Sequence, residues 1–166
     1  MSARRGKAAP VDVVVLAPGW GRSLKNAPAL ARKAARAALA GAGLSGERRA
    51  IAVALADDAL LRDLNARFRG KDRPTNVLSF PADGRDRLGD IALSLATLRG
   101  EARDQGKTLR AHFTHLVVHG TLHLAGFDHE RPAPARRMED LERRILAGLG
   151  IADPYVLGSS GKPLKS

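Results

Sequence analysis

His112-Phe113-Thr114-His115-Leu116-Val117-Val118-His119-Gly120-Thr121-Leu122-His123-Leu124-Ala125-Gly126-Phe127-Asp128-His129 contains all five histidines of the chain. Leu109, Phe113, Leu116 and Val117, then Leu122 and Leu124, recur at helical spacing, which predicts a helix beginning after Gly100 and breaking at Gly126. On that helix His119 and His123 stand at i and i+4, one ring above the other, where both can reach a single ion. Gly126 suits the left-handed turn that ends a helix, and lets the chain double back to bring His129 to the same ion. Three imidazoles with one open position is the arrangement of a catalytic zinc, whereas structural zinc sites close all four positions. His115, at i−4 from His119, offers a competing ladder of His115, His119 and His123. Those three would be strung over about 12 Å of helix axis and converge poorly on one ion with ligand bonds of about 2.0–2.1 Å. The expected ligands are therefore His119, His123 and His129, holding one Zn2+.

A zincin protease also places two histidines at i and i+4, but follows the first with a glutamate that acts as general base. Here that position is Gly120. Asp128 adjoins the third expected ligand and is a candidate to orient an imidazole, although an acidic residue in a turn also serves simply as a turn former. The chain has no cysteine, so disulfides, thiolate zinc sites and cysteine nucleophiles are excluded, and any metal must be held by His, Asp or Glu.

Working outward, the β-branched run at 11–16 ends at Ala17-Pro18-Gly19 and reads as a first strand. Asn26 caps the Ala-rich helix that follows, with Pro28 in its first turn and Gly41 or Gly43 at its end. A second strand is expected at 49–55, and a helix begun by Asp57-Asp58 runs through Phe68. Strands at 75–80 and 89–95 flank a loop at 81–88, and a last helix at 135–149 is entered through Pro132 and Pro134. The order βαβαββαα predicts an α+β fold, a small mixed β-sheet of about four strands packed with helices, one of them a zincin-like metal helix. Residues 1–10 read as a flexible basic N-terminus, 11–157 as one domain and 158–166 as a flexible C-terminal tail.

With 166 residues, 44% of them hydrophobic and 27% charged, the composition is that of an ordinary globular chain and excludes collagen-like and disordered classes. Apolar runs such as 13–16 and 51–56 fall far short of the roughly 20 residues a membrane span requires. The basic start is not followed by the apolar core of a secretory signal, because 11–16 is short and carries Asp12, so the expected location is cytoplasmic. A net charge of +11, from 28 basic and 17 acidic residues, is the electrostatic footprint of a protein that meets phosphate backbones. Arg67, Arg69, Lys71 and Arg73 crowd one short segment, in which Gly70, Asp72 and Pro74 would hold a defined loop and arginine forks can grip phosphate bidentately. A charge run of this kind is also what a solvated face looks like. Arg32, Lys33 and Arg36 add charge on the first helix.

Leu64-Asn65, Arg69, Lys71-Asp72, Pro74-Thr75 and Val77-Leu78-Ser79-Phe80-Pro81, then Leu88-Gly89-Asp90-Ile91, then His119-Gly120, Leu122-His123-Leu124, Gly126 and Asp128-His129 together resemble the YbeY family of bacterial endoribonucleases. The resemblance implies that His119, His123 and His129 bind zinc and that Arg69 is needed for RNA cleavage. It also marks His115 as a common family feature, with a supporting or substrate-side role. Asn76 departs from the family, which usually has Asp there. The implied activity is that of a zinc-dependent, single-strand-specific endoribonuclease acting in maturation of the 3′ end of small-subunit (16S) ribosomal RNA and in ribosome quality control. Implied partners are ribosomal RNA, the small ribosomal subunit, one of its proteins and the assembly GTPase Era. Two other classes compete: a non-catalytic, metal-stabilised RNA-binding ribosome assembly factor, and a different metallohydrolase such as a protease or amidase.

Overall fold

The computed structural model describes residues 9–69, 76–82, 84–127 and 132–156, without the side chains of Phe68 and Arg69. Its elements in chain order are β1 (Val11–Val15), α1 (Trp20–Ser23), α2 (Ala27–Gly41), β2 (Ala50–Ala56), α3 (Asp58–Arg69), β3 (Val77–Pro81), β4 (Arg87–Ser94), α4 (Leu95–Asp104), α5 (Leu109–Leu124) and α6 (Pro132–Gly148). The four strands form one mixed sheet in the order β1-β2-β4-β3. β1 and β4 both run parallel to β2, and β3 returns antiparallel to β4. This is the α+β architecture expected from the sequence.

Alternation along β2 decides which side of the sheet carries the core. Ile51, Val53 and Leu55 are fully buried, and Val53 and Leu55 pair in register with Ile91 and Leu93 of β4. These large side chains meet those of α2 and α5, including Ala31, Ala35, Phe113, Val117 and Leu122. The intervening alanines face the other way, where Ala54, Ala56, Ala92 and Leu78 pack under Leu61 and Leu64 of α3. Burying each of the large aliphatic side chains contributes about 1.5–3 kcal/mol before conformational entropy is charged against it. The His-bearing helix α5 is thus seated on the apolar side of the sheet.

Two helices lie outside the expected order. α1 has only four residues, too few to show a period, and is fixed by Trp20, whose indole Nε1 donates to the Ala56 carbonyl at 3.0 Å and whose ring meets Phe113 edge-on. α4 runs through Gly100, which the sequence reading takes as a boundary; Leu95, Leu98 and Ala102 form its buried face. α5 consequently starts later, at Leu109, behind the N-cap Thr108, whose side-chain oxygen accepts from the Ala111 amide at 3.0 Å. Pro132 and Pro134 belong to the first turn of α6 rather than preceding it, since a helix's first amides need no intrahelical partner. β4 starts at Arg87, shortening the expected loop. Asn26 does stand at the N-cap of α2, but in a left-handed conformation (φ 58°) without a side-chain cap bond. Residues 1–8 and 157–166, most of the two expected tails, lie outside the described residues. Among the described residues no helix is long and apolar enough to cross a membrane.

Candidate metal centre

α5 is buried nearly all round, with His112, His115 and His119 among its buried residues. It packs against α2, α4, α6 and the β3 and β4 strands. Gly120 permits this approach: a Cβ there would lie 3.1 Å from Ser79 Oγ and 3.2 Å from Ile91 Cγ2. The hydroxyl of Ser79 donates to the Gly120 carbonyl at 3.4 Å, tying β3 to the helix beside His119. The position that carries the glutamate of a protease therefore faces the sheet. A Gly120→Glu variant is expected to lose about 1–3 kcal/mol by overpacking alone. It should show no peptidase activity. Urea unfolding beside a peptide-hydrolysis assay checks both; wild-type stability would mean that the contact with the sheet is not tight.

The rings of His119 and His123 lie 4.6 Å apart, and their Nε2 atoms approach to 3.0 Å. Nδ1 of His119 lies 2.9 Å from Oε1 of Glu142, contributed by α6. A carboxylate only accepts, so Nδ1 carries the proton and leaves the lone pair on Nε2, on the side facing His123. Two nitrogens on one tetrahedral ion with bonds of about 2.0–2.1 Å stand about 3.3 Å apart. The observed approach is within a few tenths of an ångström of that spacing. A carboxylate behind one imidazole is also the usual way of fixing the tautomer of a metal-binding histidine. The pair fits a metal ion.

Glu142 is fully buried, and its second oxygen, Oε2, accepts from His115 Nε2 at 2.6 Å and from the Tyr155 hydroxyl at 2.5 Å. Burial pushes its carboxyl upward, but the bonds from His115 and His119 outweigh that and hold it at about 2, so Glu142 is ionised. Burial pushes His115 below its usual range, and its Nδ1 has no hydrogen-bond partner. His115 is therefore neutral, with its proton on Nε2. Burial and then the charge of Glu142 drive the Tyr155 hydroxyl upward, so it stays a donor.

His115, His119 and Glu142 offer ligand atoms within 4.8 Å of one another and could as a group hold a metal ion. Their separations of 2.6 and 2.9 Å are those of hydrogen bonds, shorter than the spacing around one ion. Glu142 thus supports His119 through Nδ1, which leaves Nε2, on the opposite side of that ring, able to bind a metal ion.

A family model described as Endoribonuclease YbeY matches residues 22–150. The chain belongs to the YbeY family. The Endoribonuclease YbeY of Azorhizobium caulinodans is 49% identical over 158 residues, covering 91% of this chain and 99% of the relative. That of Rhodopseudomonas palustris strain HaA2 is 48% identical over 161 residues, covering 89% and 83%. The solution structure of TM1509 from Thermotoga maritima shares the fold, with a TM-score of 0.53 and 24% identity over 84% of this chain and 91% of that one.

In this YbeY chain the fold brings together His119 and His123 of the three expected ligands, while His129 and the neighbouring Asp128 lie outside the described residues. Arg69 is the last residue of α3, and its side chain is likewise outside them. His115 lies against Glu142, its ring centroid 6.1 Å from that of His119. Asn76 donates from Nδ2 to Glu101 Oε2 at 3.3 Å, and the other oxygen of Glu101 bonds the buried His112 at 2.9 Å. An aspartate at 76 would face the Glu101 carboxylate acceptor to acceptor. Sequence reading missed Glu142 and Tyr155. The signal for Glu142 was there: it lies four residues after Met138 and four before Leu146, on the apolar stripe of α6.

Proposed function

We propose that the protein is a zinc-dependent, single-strand-specific endoribonuclease that acts on ribosomal RNA, in maturation of the small-subunit RNA 3′ end and in ribosome quality control. The observation that carries this reading is the convergence of His119 Nε2 and His123 Nε2 at 3.0 Å, with the far side of His119 held by an ionised, buried Glu142. His119 and His123 would hold the ion with His129 as third ligand, and an all-imidazole donor set suits zinc. When bound, zinc supplies Lewis acidity toward a phosphate oxygen or an activated nucleophile at neutral pH.

Glu142 keeps the proton of His119 on Nδ1. It does not serve as the general base, because donors occupy both its oxygens. Arg69 is proposed to neutralise charge growing on the phosphoryl oxygens. The net charge of +11 supplies sequence-blind affinity for the RNA backbone, so binding weakens steeply with salt. Proposed partners are the small ribosomal subunit with its RNA, one of its proteins and the assembly GTPase Era, met in the cytoplasm.

That Glu142 is spoken for as an acceptor favours a second reading, a metal-stabilised RNA-binding assembly factor without turnover. Chelation separates the two. For the nuclease, cleavage of a ribosomal RNA fragment should vanish with chelator while the far-UV circular dichroism stays near that of the loaded protein, and added Zn2+ should restore it. Loss of fold with the metal, and no cleavage in the loaded protein, would favour the assembly factor.

A further inference from the structure

Beyond α6 the chain turns at Gly150 (φ 76°) and comes back along that helix through residues 151–156. Four contacts hold this strap. The Arg143 guanidinium donates from Nε to both oxygens of Asp153 at 3.1 and 3.2 Å and lies 5.2 Å from the centroid of the Tyr155 ring. Asp153 Oδ1 accepts from the Tyr155 amide at 2.8 Å. Lys107, between α4 and α5, donates from Nζ to the Pro154 carbonyl at 3.2 Å. Together they deliver one hydroxyl to one place: Tyr155 O–H reaches Glu142 Oε2 at 2.5 Å and lies 3.3 Å from His115 Nε2.

We propose that Tyr155 is a positioning residue of the metal centre, its hydroxyl and His115 together pinning Oε2 of Glu142 so that Oε1 is presented to His119 Nδ1. This rests on the metal-centre reading above. The last torsion of a glutamate is broad and weakly restricted, so a carboxylate keeps one orientation only where its oxygens are tied. Here Oε2 has two donors and Oε1 has His119. With one tie removed, Glu142 turns more freely and the His119 ring is aligned less well for a ligand bond. Packing alone does not call for the hydroxyl, since phenylalanine would keep the ring beside Arg143. Groups that orient a metal ligand from behind typically cost 10–100-fold in affinity when removed, and Tyr155, one bond further out, belongs at about tenfold.

The test is Zn2+ affinity, measured by competition with a chromogenic chelator, with the visible spectrum of the Co2+-loaded protein and the unfolding temperature of the metal-free protein taken in parallel. Tyr155→Phe is expected to bind Zn2+ about tenfold more weakly and to shift the Co2+ bands. Asp153→Ala, which removes the acceptors that hold the strap to Arg143 while keeping the hydroxyl, should move affinity the same way by a smaller factor. It decides the matter if Tyr155→Phe does not fold. Wild-type affinity and an unchanged Co2+ spectrum in both variants, with only the unfolding temperature lowered, would make the strap a packing element and overturn the proposal. His119→Ala separates the two levels. If it binds Zn2+ as tightly as wild type, or if wild type binds none, the metal-centre reading itself fails; if His119 matters and Tyr155 does not, this inference alone fails.

Discussion

Replacing Glu142 by alanine is expected to destabilise the metal-free protein by about 3–5 kcal/mol, since each interior donor left without its acceptor costs about 1–3 kcal/mol. On a chain of this size that lowers the unfolding temperature by on the order of 10 °C. The loss is large because three donors, on the buried His115 and His119 and the half-buried Tyr155, lose their shared acceptor at once. The effect depends on pH with a definite sign. The folded-state carboxyl is held at about 2 against an ordinary 4.5, so the stability that ionised Glu142 contributes is complete above pH 4.5 and is lost as pH falls toward 2. His115, held below its ordinary 6.5, acts in the same direction from pH 6.5 downward, because the unfolded chain then takes up a proton that the folded one refuses. Thermal unfolding of metal-free wild type should therefore be flat above about pH 7 and fall below it, with a shallower acid limb in Glu142→Ala. Equal stability of variant and wild type at pH 7.5 would show that the carboxylate is not the hub of these bonds.

Replacing His119 by alanine is expected to leave the fold close to wild type and to abolish RNA cleavage. Stability falls less than in Glu142→Ala, because Oε2 of Glu142 keeps both its donors and only Oε1 loses one. Zn2+ affinity should fall by at least about a hundredfold, the upper end of what loss of a mere supporting group costs. Arg69→Ala makes the contrast: metal content unchanged, turnover down by roughly 10²–10³-fold, as for removal of one charge-stabilising donor. Cleavage of a ribosomal RNA fragment, measured with zinc content and circular dichroism on the same samples, checks both. Equal cleavage by all three proteins would assign the activity to a contaminant.

Much of this centre was legible because its chemistry repeats at helical spacing within one element. His119 and His123 declare themselves by an interval of four, and the sheet by β-branched and alanine-alternating runs between turn residues. Glu142 shares a spacing of four with Met138 and Leu146, but Arg136-Arg137-Met138-Glu139-Asp140-Leu141-Glu142-Arg143-Arg144 otherwise reads as a solvated charged stretch and masks it. Its burial depends on partners more than twenty positions away, at 115 and 119. Tyr155 follows the last helix without any period to place it. α4 was hidden by Gly100, a residue that often marks a boundary and here sits in a helix interior, where it costs about 1 kcal/mol relative to alanine. In each case a tertiary contact overrode the local signal.

Glu142 comes late in the order of synthesis. α5 can settle on the sheet once residue 124 has emerged, since its packing partners α2, α4, β3 and β4 precede it, with α6 still to follow. The carboxylate that sets the His119 tautomer follows 18 residues later, about 1–4 s behind at usual translation rates. Tyr155 comes later still. A nascent chain thus carries the two histidines before it carries the means to aim them, and its competence for metal arrives with α6, after the hydrophobic scaffold has formed.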